Sequence, residues 1–252
     1  MKKLIYTTVT VGLLLLVACS QDDTIMQQDE KATKEENYNF SQKLANIYKN
    51  TFNGSATFYT SNGMGNCSEE YPTSQLYAAM NNSQYNNSNA CGSYIEVTRK
   101  GTNKKVIVKV LDQCTECPYG NVDLSKTAFL KLGTESEGII PITWKFVKQP
   151  NNNKIAVRIK TGSSRYYFSL QILNHRYMVQ KVEVKNHLGV YVTIPRQSYN
   201  YFLDSNGVFD GNGPDGPYDV RITDVNGSVV NTRINLTINT KITTTVQFPV
   251  SN

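Results

Sequence analysis

The C-terminal half of this chain is punctuated so regularly that it admits few folds. Short segments of alternating polarity recur at 154–160, 167–172, 181–184, 190–194, 218–223 and 243–248. Turn signals such as Asn206-Gly207, Gly213-Pro214, Asp215-Gly216 and Asn226-Gly227 separate several of them. Alternation gives each strand one face to bury, and this rhythm of short strands and turns predicts an all-β sandwich.

The start of the chain speaks to location. Lys2 and Lys3 precede an apolar core ending at Ala18, too short to span a bilayer but suited to an export signal over residues 1–18. Leu16-Val17-Ala18-Cys19 resembles the lipobox of bacterial lipoproteins, which makes Cys19 the expected lipidation site. Ser20-Gln21-Asp22-Asp23 resembles an acidic surface-export tag. The expected location is therefore the outer membrane or cell surface, with plain secretion as the alternative. Residues 19–50 are expected to form a flexible, lipidated tether, because the chain to about Asn39 is polar and lacks an apolar period. The formal net charge is +6, yet the tether to residue 37 is acidic, so the chain from residue 38 onward carries +8. A basic exported body suits an acidic partner such as pectin, or serves solubility alone.

Once Cys19 is set aside, Cys67, Cys91, Cys114 and Cys117 remain, all in the first half. An even number in an exported chain implies disulfides, and of three connectivities the expected one is Cys67 with Cys91 and Cys114 with Cys117. A four-cysteine metal site competes with this and is disfavoured by the oxidising compartment and by the lack of a second close-spaced pair. No metal or cofactor is expected. Gln149-Pro150-Asn151-Asn152-Asn153 follows a strand-like run at 142–147 and divides the chain into a domain over 51–148 and another over 149–252.

Chemistry concentrates at Val110–Gly133. Val106, Val108 and Val110 share one face of a strand, so Asp112 is expected where that strand ends. Cys114, Cys117, Pro118 and Gly120 mark a turn. Asp123 follows it, with Ser125 as N-cap of a short helix bearing Ala128, Phe129 and Leu132, and Gly133 as its stop. Two acids thus flank one cysteine-closed loop, as in the floor of a polysaccharide groove. Trp144 reads as core, and His175 and His187 read as structural.

Gly54-Ser55-Ala56-Thr57-Phe58-Tyr59, Cys91-Gly92-Ser93-Tyr94-Ile95-Glu96-Val97, Val110-Leu111-Asp112-Gln113-Cys114 and Val122-Asp123-Leu124-Ser125 resemble the first domain of expansins. Residues 160–167, Asn174-His175-Arg176-Tyr177, Tyr199-Asn200-Tyr201-Phe202 and 220–227 resemble the second domain of bacterial expansins. The resemblance spans roughly residues 52–250. It implies a mainly β protein: a six-stranded double-psi β-barrel followed by an immunoglobulin-like, cellulose-binding β-sandwich. It also implies wall loosening without hydrolysis. By the same resemblance Thr57, Asp112 and Asp123 match groove residues, with Asp123 the key acid. Tyr166, Tyr167 and Tyr199 match a row of sugar-stacking aromatics, and Lys160 a basic contact beside it. Bacterial relatives usually carry tryptophans at Tyr166 and Tyr167. They often carry a groove tyrosine where this chain has its Cys114–Cys117 loop, and Tyr119 is the candidate replacement.

Read from the residues alone, the site is incomplete as a glycosidase. Hydrolysis needs an acid and a second carboxylate as base or nucleophile, and Gly54 to Thr60 contains no acid. Asp112 is expected to bond the groove backbone instead. Strand parity sets Tyr166 in phase with Phe168, Leu170 and Ile172, hence inward, unless a bend near Arg165 breaks the phase. The expected function is binding and loosening of cellulose and matrix polymers such as xylan and pectin by a monomer, with no nucleic-acid partner. Two alternatives stand. One is a lytic transglycosylase on peptidoglycan, since the rare lipoprotein A family also joins a lipobox to a double-psi barrel; the other is a carbohydrate-binding adhesin with an inert groove.

Overall fold

The computed structural model describes residues 22–61, 63–204, 211–212 and 216–251. The expected signal, the lipidation site Cys19 and the turn signals at 206–207 and 213–215 lie outside the described residues. The chain divides at Phe40 and Ser41 into two compact units. No helix among the described residues is long and apolar enough to cross a membrane.

The tether expectation needs correcting, because Asp22–Lys49 is a helix, α1. Its Gln, Glu, Lys and Ala content carries high helix propensity, whatever its lack of an apolar stripe. Within the second unit its last turns do have such a stripe: Leu44, Ile47 and Tyr48 stand at i, i+3 and i+4 and pack into the core. Tyr48 stacks on Phe146 with ring centroids 5.6 Å apart and meets the edge of Tyr177 at 5.9 Å. Burying Leu44 stabilises the body by roughly 1.5–3 kcal/mol.

The barrel contains β1 (Thr51–Tyr59), β2 (Tyr77–Asn81), a one-turn helix α2 (Asn82–Tyr85), β3 (Tyr94–Arg99), β4 (Lys105–Cys114), β5 (Val122–Ser125), a short α3 (Lys126–Phe129) and β6 (Ile140–Val147). It closes in the order β1-β5-β2-β4-β3-β6. The pairs β1–β5 and β2–β4 are parallel. Closure leaves no strand edge exposed. Inside it Trp144 is buried and donates from Nε1 to Gly120 O at 2.7 Å. The approach of β1 to the turn before β5 demands glycine, since a Cβ on Gly54 would lie 2.1 Å from Gly120 O.

Two local expectations shift. The strand bearing Asp112 runs on to Cys114, so Asp112 lies within β4 rather than at its end. Ser125 does cap α3, accepting from Ala128 N at 3.2 Å, but the helix closes at Leu130, before Gly133.

The second half supplies β7 (Ala156–Ile159), β8 (Ser169–Leu173), β9 (Val179–Lys185), β10 (Tyr191–Thr193), β11 (Phe202–Leu203), β12 (Tyr218–Asp224), β13 (Val229–Ile234) and β14 (Lys241–Thr243). They form two four-stranded sheets, β10-β9-β12-β13 and β11-β8-β7-β14, as the alternation predicted. The segment expected as a strand at 243–248 ends its sheet pairing at Thr243.

Barrel and sandwich belong to one compact unit. Gln149, in the expected linker, is buried and tied to Arg176 O and Asn174 O. On the barrel side of the junction, facing Asn200, lies a buried Lys109–Glu69 ion pair. Burial pushes the Lys109 ammonium down most strongly, but the charge and hydrogen bond of Glu69, with Tyr94 and Glu70, together outweigh it and hold the lysine above its usual range. Arg158 reaches from β7 to Glu70 at 2.5 Å, and Gln171 of β8 donates to Cys67 O at 2.9 Å. His175 is fully enclosed, with Nδ1 2.8 Å from Tyr177 O and Nε2 3.2 Å from Cys91 O. Both disulfides form as expected, Cys67–Cys91 beside this junction and Cys114–Cys117 beyond β4.

Candidate functional site

Strand register assembles the groove. Thr57 of β1 pairs with Asp123 of β5, Asp123 with Ala79 of β2, and Ala79 with Asp112 of β4. The two acids therefore flank one small residue on a four-strand row, two strand spacings or roughly 10 Å apart at Cα. Thr57 Oγ1 donates to Asp123 Oδ1 at 2.6 Å. Burial raises the Asp123 pKa, the Thr57 hydroxyl pulls it down, and the Asp112 charge adds to the rise, leaving it above its ordinary value. Asp112 is occupied differently: Oδ1 accepts the backbone N–H of Asn66 at 2.7 Å and of Gln113 at 2.8 Å. Gly65 makes this possible, since a Cβ there would lie 2.4 Å from Leu111 O and 2.7 Å from Asp112 Cγ. The row thus holds one carboxyl, Asp123, whose pKa is raised by burial and one, Asp112, with an oxygen committed to two backbone amides.

Three tyrosines extend the row at one end. Tyr59 follows Thr57 by two residues and so shares its face of β1, and Tyr77 precedes Ala79 by two on β2. Tyr71 stacks on Tyr77 at 4.1 Å, Tyr59 meets Tyr77 edge-on at 5.8 Å, and Ser61 Oγ donates to the Tyr71 hydroxyl at 2.8 Å. Burial above all raises the Tyr59 phenol, with the nearby Tyr71 and Asp112 adding to the effect. Sequence reasoning missed this cluster and Asn66. The parity of Tyr59 with Thr57 was the available signal, whereas the place of β2 between β5 and β4 was not visible. Tyr119 is exposed and packs edge-on against Phe52 at 6.1 Å. That contact is five residues before Thr57, roughly 16 Å along the strand, so Tyr119 is not brought beside the acids. Among the described residues, no cluster of three or more His, Cys, Asp or Glu side chains is arranged to hold a metal.

On the sandwich, Tyr166 and Tyr167 are 70% and 42% exposed, Tyr166 against the inward parity of a continuous strand. The reason is local: Ser164 and Tyr167 close a tight turn through paired backbone bonds of 2.6 and 3.3 Å, and β8 starts only at Ser169. The phase break near Arg165 is this turn. Tyr199 precedes β11, which pairs with β8, and its ring lies 5.8 Å from Tyr201. Lys160 is half-buried just after β7. The three tyrosines and the lysine therefore all attach to the β11-β8-β7-β14 sheet, apart from the barrel row bearing the acids.

Comparison with known proteins gives this geometry a family. A family model described as lytic transglycolase matches residues 51–144, the barrel. Expansin-YoaJ of Bacillus subtilis is 33% identical over 198 residues, covering 76% of this chain and 81% of that protein. Expansin-like protein 1 of Dictyostelium discoideum is 30% identical over 210 residues, 79% of this chain and 69% of that one. The crystal structure of the Clavibacter michiganensis expansin superposes with a TM-score of 0.72 at 32% identity, covering 80% of this chain and 100% of that chain. A mutant of that expansin in complex with cellohexaose matches equally well. With a third of its residues identical to an expansin over most of that protein's length, and a solved expansin matched along its whole chain, the chain belongs to the expansin family.

Proposed function

We propose that this protein loosens plant cell walls without hydrolysing them, binding cellulose and matrix polysaccharide along the barrel groove and the sandwich tyrosines. The observation that carries the reading is the division of labour between the two acids. Hydrolysis by an inverting or retaining route needs a second carboxylate free to hold a water or attack the sugar. Asp112 spends Oδ1 on two backbone amides, and β1 carries no acid, so Asp123 has no such partner on that strand. What Asp123 can do is exchange a hydrogen bond with a sugar hydroxyl or glycosidic oxygen, as donor when protonated and as acceptor when charged. Exposed tyrosines supply flat apolar faces for pyranose rings. Cellulose as ligand is supported by the cellohexaose complex of the Clavibacter expansin mutant. Xylan and pectin are included because the chain from residue 38 onward carries +8. In this reading the protein is exported, lipidated at Cys19 and monomeric.

A second reading has a specific observation behind it: the barrel matches a family model described as lytic transglycolase. One experiment separates the two. The purified body is incubated with filter paper, xylan and peptidoglycan, and mechanical weakening is recorded beside released sugars. Weakening without new reducing ends is the expected result, and release of anhydromuropeptides from peptidoglycan would overturn it.

A further inference from the structure

The loop that carries Tyr199 is fastened to the barrel by its own backbone. Arg196 O accepts from Asn87 Nδ2 at 3.4 Å, Gln197 O from Ser88 Oγ at 2.7 Å, and Ser198 O from the Tyr85 hydroxyl at 2.8 Å. Asn200 Nδ2 returns a bond to Cys67 O at 3.2 Å. Three successive carbonyls of a sandwich loop thus end on one short barrel segment, residues 85–88. Asn66 joins this anchorage to the groove. Its backbone N–H holds Asp112, and its side-chain amide lies 2.9 Å from Gln113 Oε1, 3.0 Å from the Tyr85 hydroxyl and 3.3 Å from Ser198 O. The Tyr85 hydroxyl accepts from Asn66 and donates to Ser198, so a continuous relay runs from Asp112 through Asn66 and Tyr85 to the residue before Tyr199.

We infer that Asn66 and Tyr85 are positioning residues that fix Tyr199 relative to the acid row, so that one extended glycan chain can engage groove and sandwich together. Each bond is modest in net worth, but a carbonyl with a fixed partner cannot drift without leaving that partner unpaired. When two sites on one rigid body meet one chain, the second contact is intramolecular and its benefit depends on the spacing between them. Asn66 is exposed, so removing its amide opens no cavity, and Tyr85→Phe keeps the buried ring.

The inference rests on the proposed polysaccharide-binding function, and its test separates the two. Affinity is measured by calorimetry for glucose, a single ring that meets one site at a time, and for long-chain hydroxyethyl cellulose, with wild type, Asn66→Ala and Tyr85→Phe. Wild type should bind the long chain at least roughly tenfold more tightly than glucose, and each variant should lose most of that gain while keeping its glucose affinity. A variant that merely destabilised the fold would lower its melting temperature without changing the ratio of the two affinities at a temperature where it stays folded. Full retention of the gain in both variants overturns the inference, as does an equal loss for both ligands, which would make Asn66 a direct sugar contact. If wild type binds neither ligand, the polysaccharide reading itself fails and the inference falls with it.

Discussion

Acid should weaken this fold through one buried imidazole. His175 is enclosed between barrel and sandwich, and burial, reinforced by the charges of Lys109 and Arg196, pushes its pKa down to about 3 against the pull of two backbone carbonyls. In the unfolded chain the same group titrates near 6.5. Between these values the unfolded state binds a proton that the folded state refuses. The contribution is therefore complete above pH 6.5 and is lost as pH falls, at about 1.4 kcal/mol per pH unit, until the folded state protonates near pH 3. From pH 6.5 to 4.5 the loss is about 2 kcal/mol, a substantial part of a typical domain's stability. Urea unfolding followed by Trp144 fluorescence across this range measures it, and His175→Gln removes the titrating group. The raised carboxylates Asp123 and Asp224 remain in both proteins and act in the opposite sense, so the difference between the two pH profiles isolates the histidine. Parallel profiles for wild type and variant would refute the reasoning.

Gly54→Ala should be destabilising by about 3 kcal/mol or more, because its Cβ would meet the Gly120 carbonyl at 2.1 Å and both partners are backbone; thermal denaturation reads this. Glu69→Gln leaves the Lys109 charge buried without its partner and should cost about 3–5 kcal/mol in urea unfolding, whereas replacing both residues with apolar ones of similar size should cost much less. Tyr167→Ala should weaken cellulose pull-down while leaving the melting temperature within a degree or two, as its ring is 42% exposed.

Much of the fold was legible because burial imposes period two on a strand. The alternating runs found β7, β9 and β12 within a few residues, and Val106, Val108 and Val110 marked β4. β11 escaped because two residues carry no period, and β13 because its burial alternates with polar and weakly apolar residues alike, as in Asn231, Thr232 and Arg233. The tether was misread because its polar residues are strong helix formers and the apolar spacing begins only at Leu44. Asp112 and Asp123 were visible as residues, but the row joining them through Ala79 depends on non-local pairing that no local pattern encodes. Tyr166 escaped its parity because the Ser164–Tyr167 turn interrupts the strand. The docking of sandwich on barrel was hidden for a related reason: side chains such as Asn66, Ser88 and Gln171 reach backbone carbonyls, which any sequence supplies.

The central claim is that Asp123 grips polysaccharide and does not cut it. Asp123→Asn keeps the size of the side chain but removes the ionisable carboxyl that accepts the Thr57 hydroxyl. The decisive measurement is filter-paper weakening and wall creep by wild type and Asp123→Asn at matched surface coverage, with reducing ends counted in the same samples. The account predicts that the variant binds cellulose as wild type does, loses creep, and that neither protein releases sugar. Full creep from the variant, or reducing ends that appear with wild type and vanish with the variant, would contradict it.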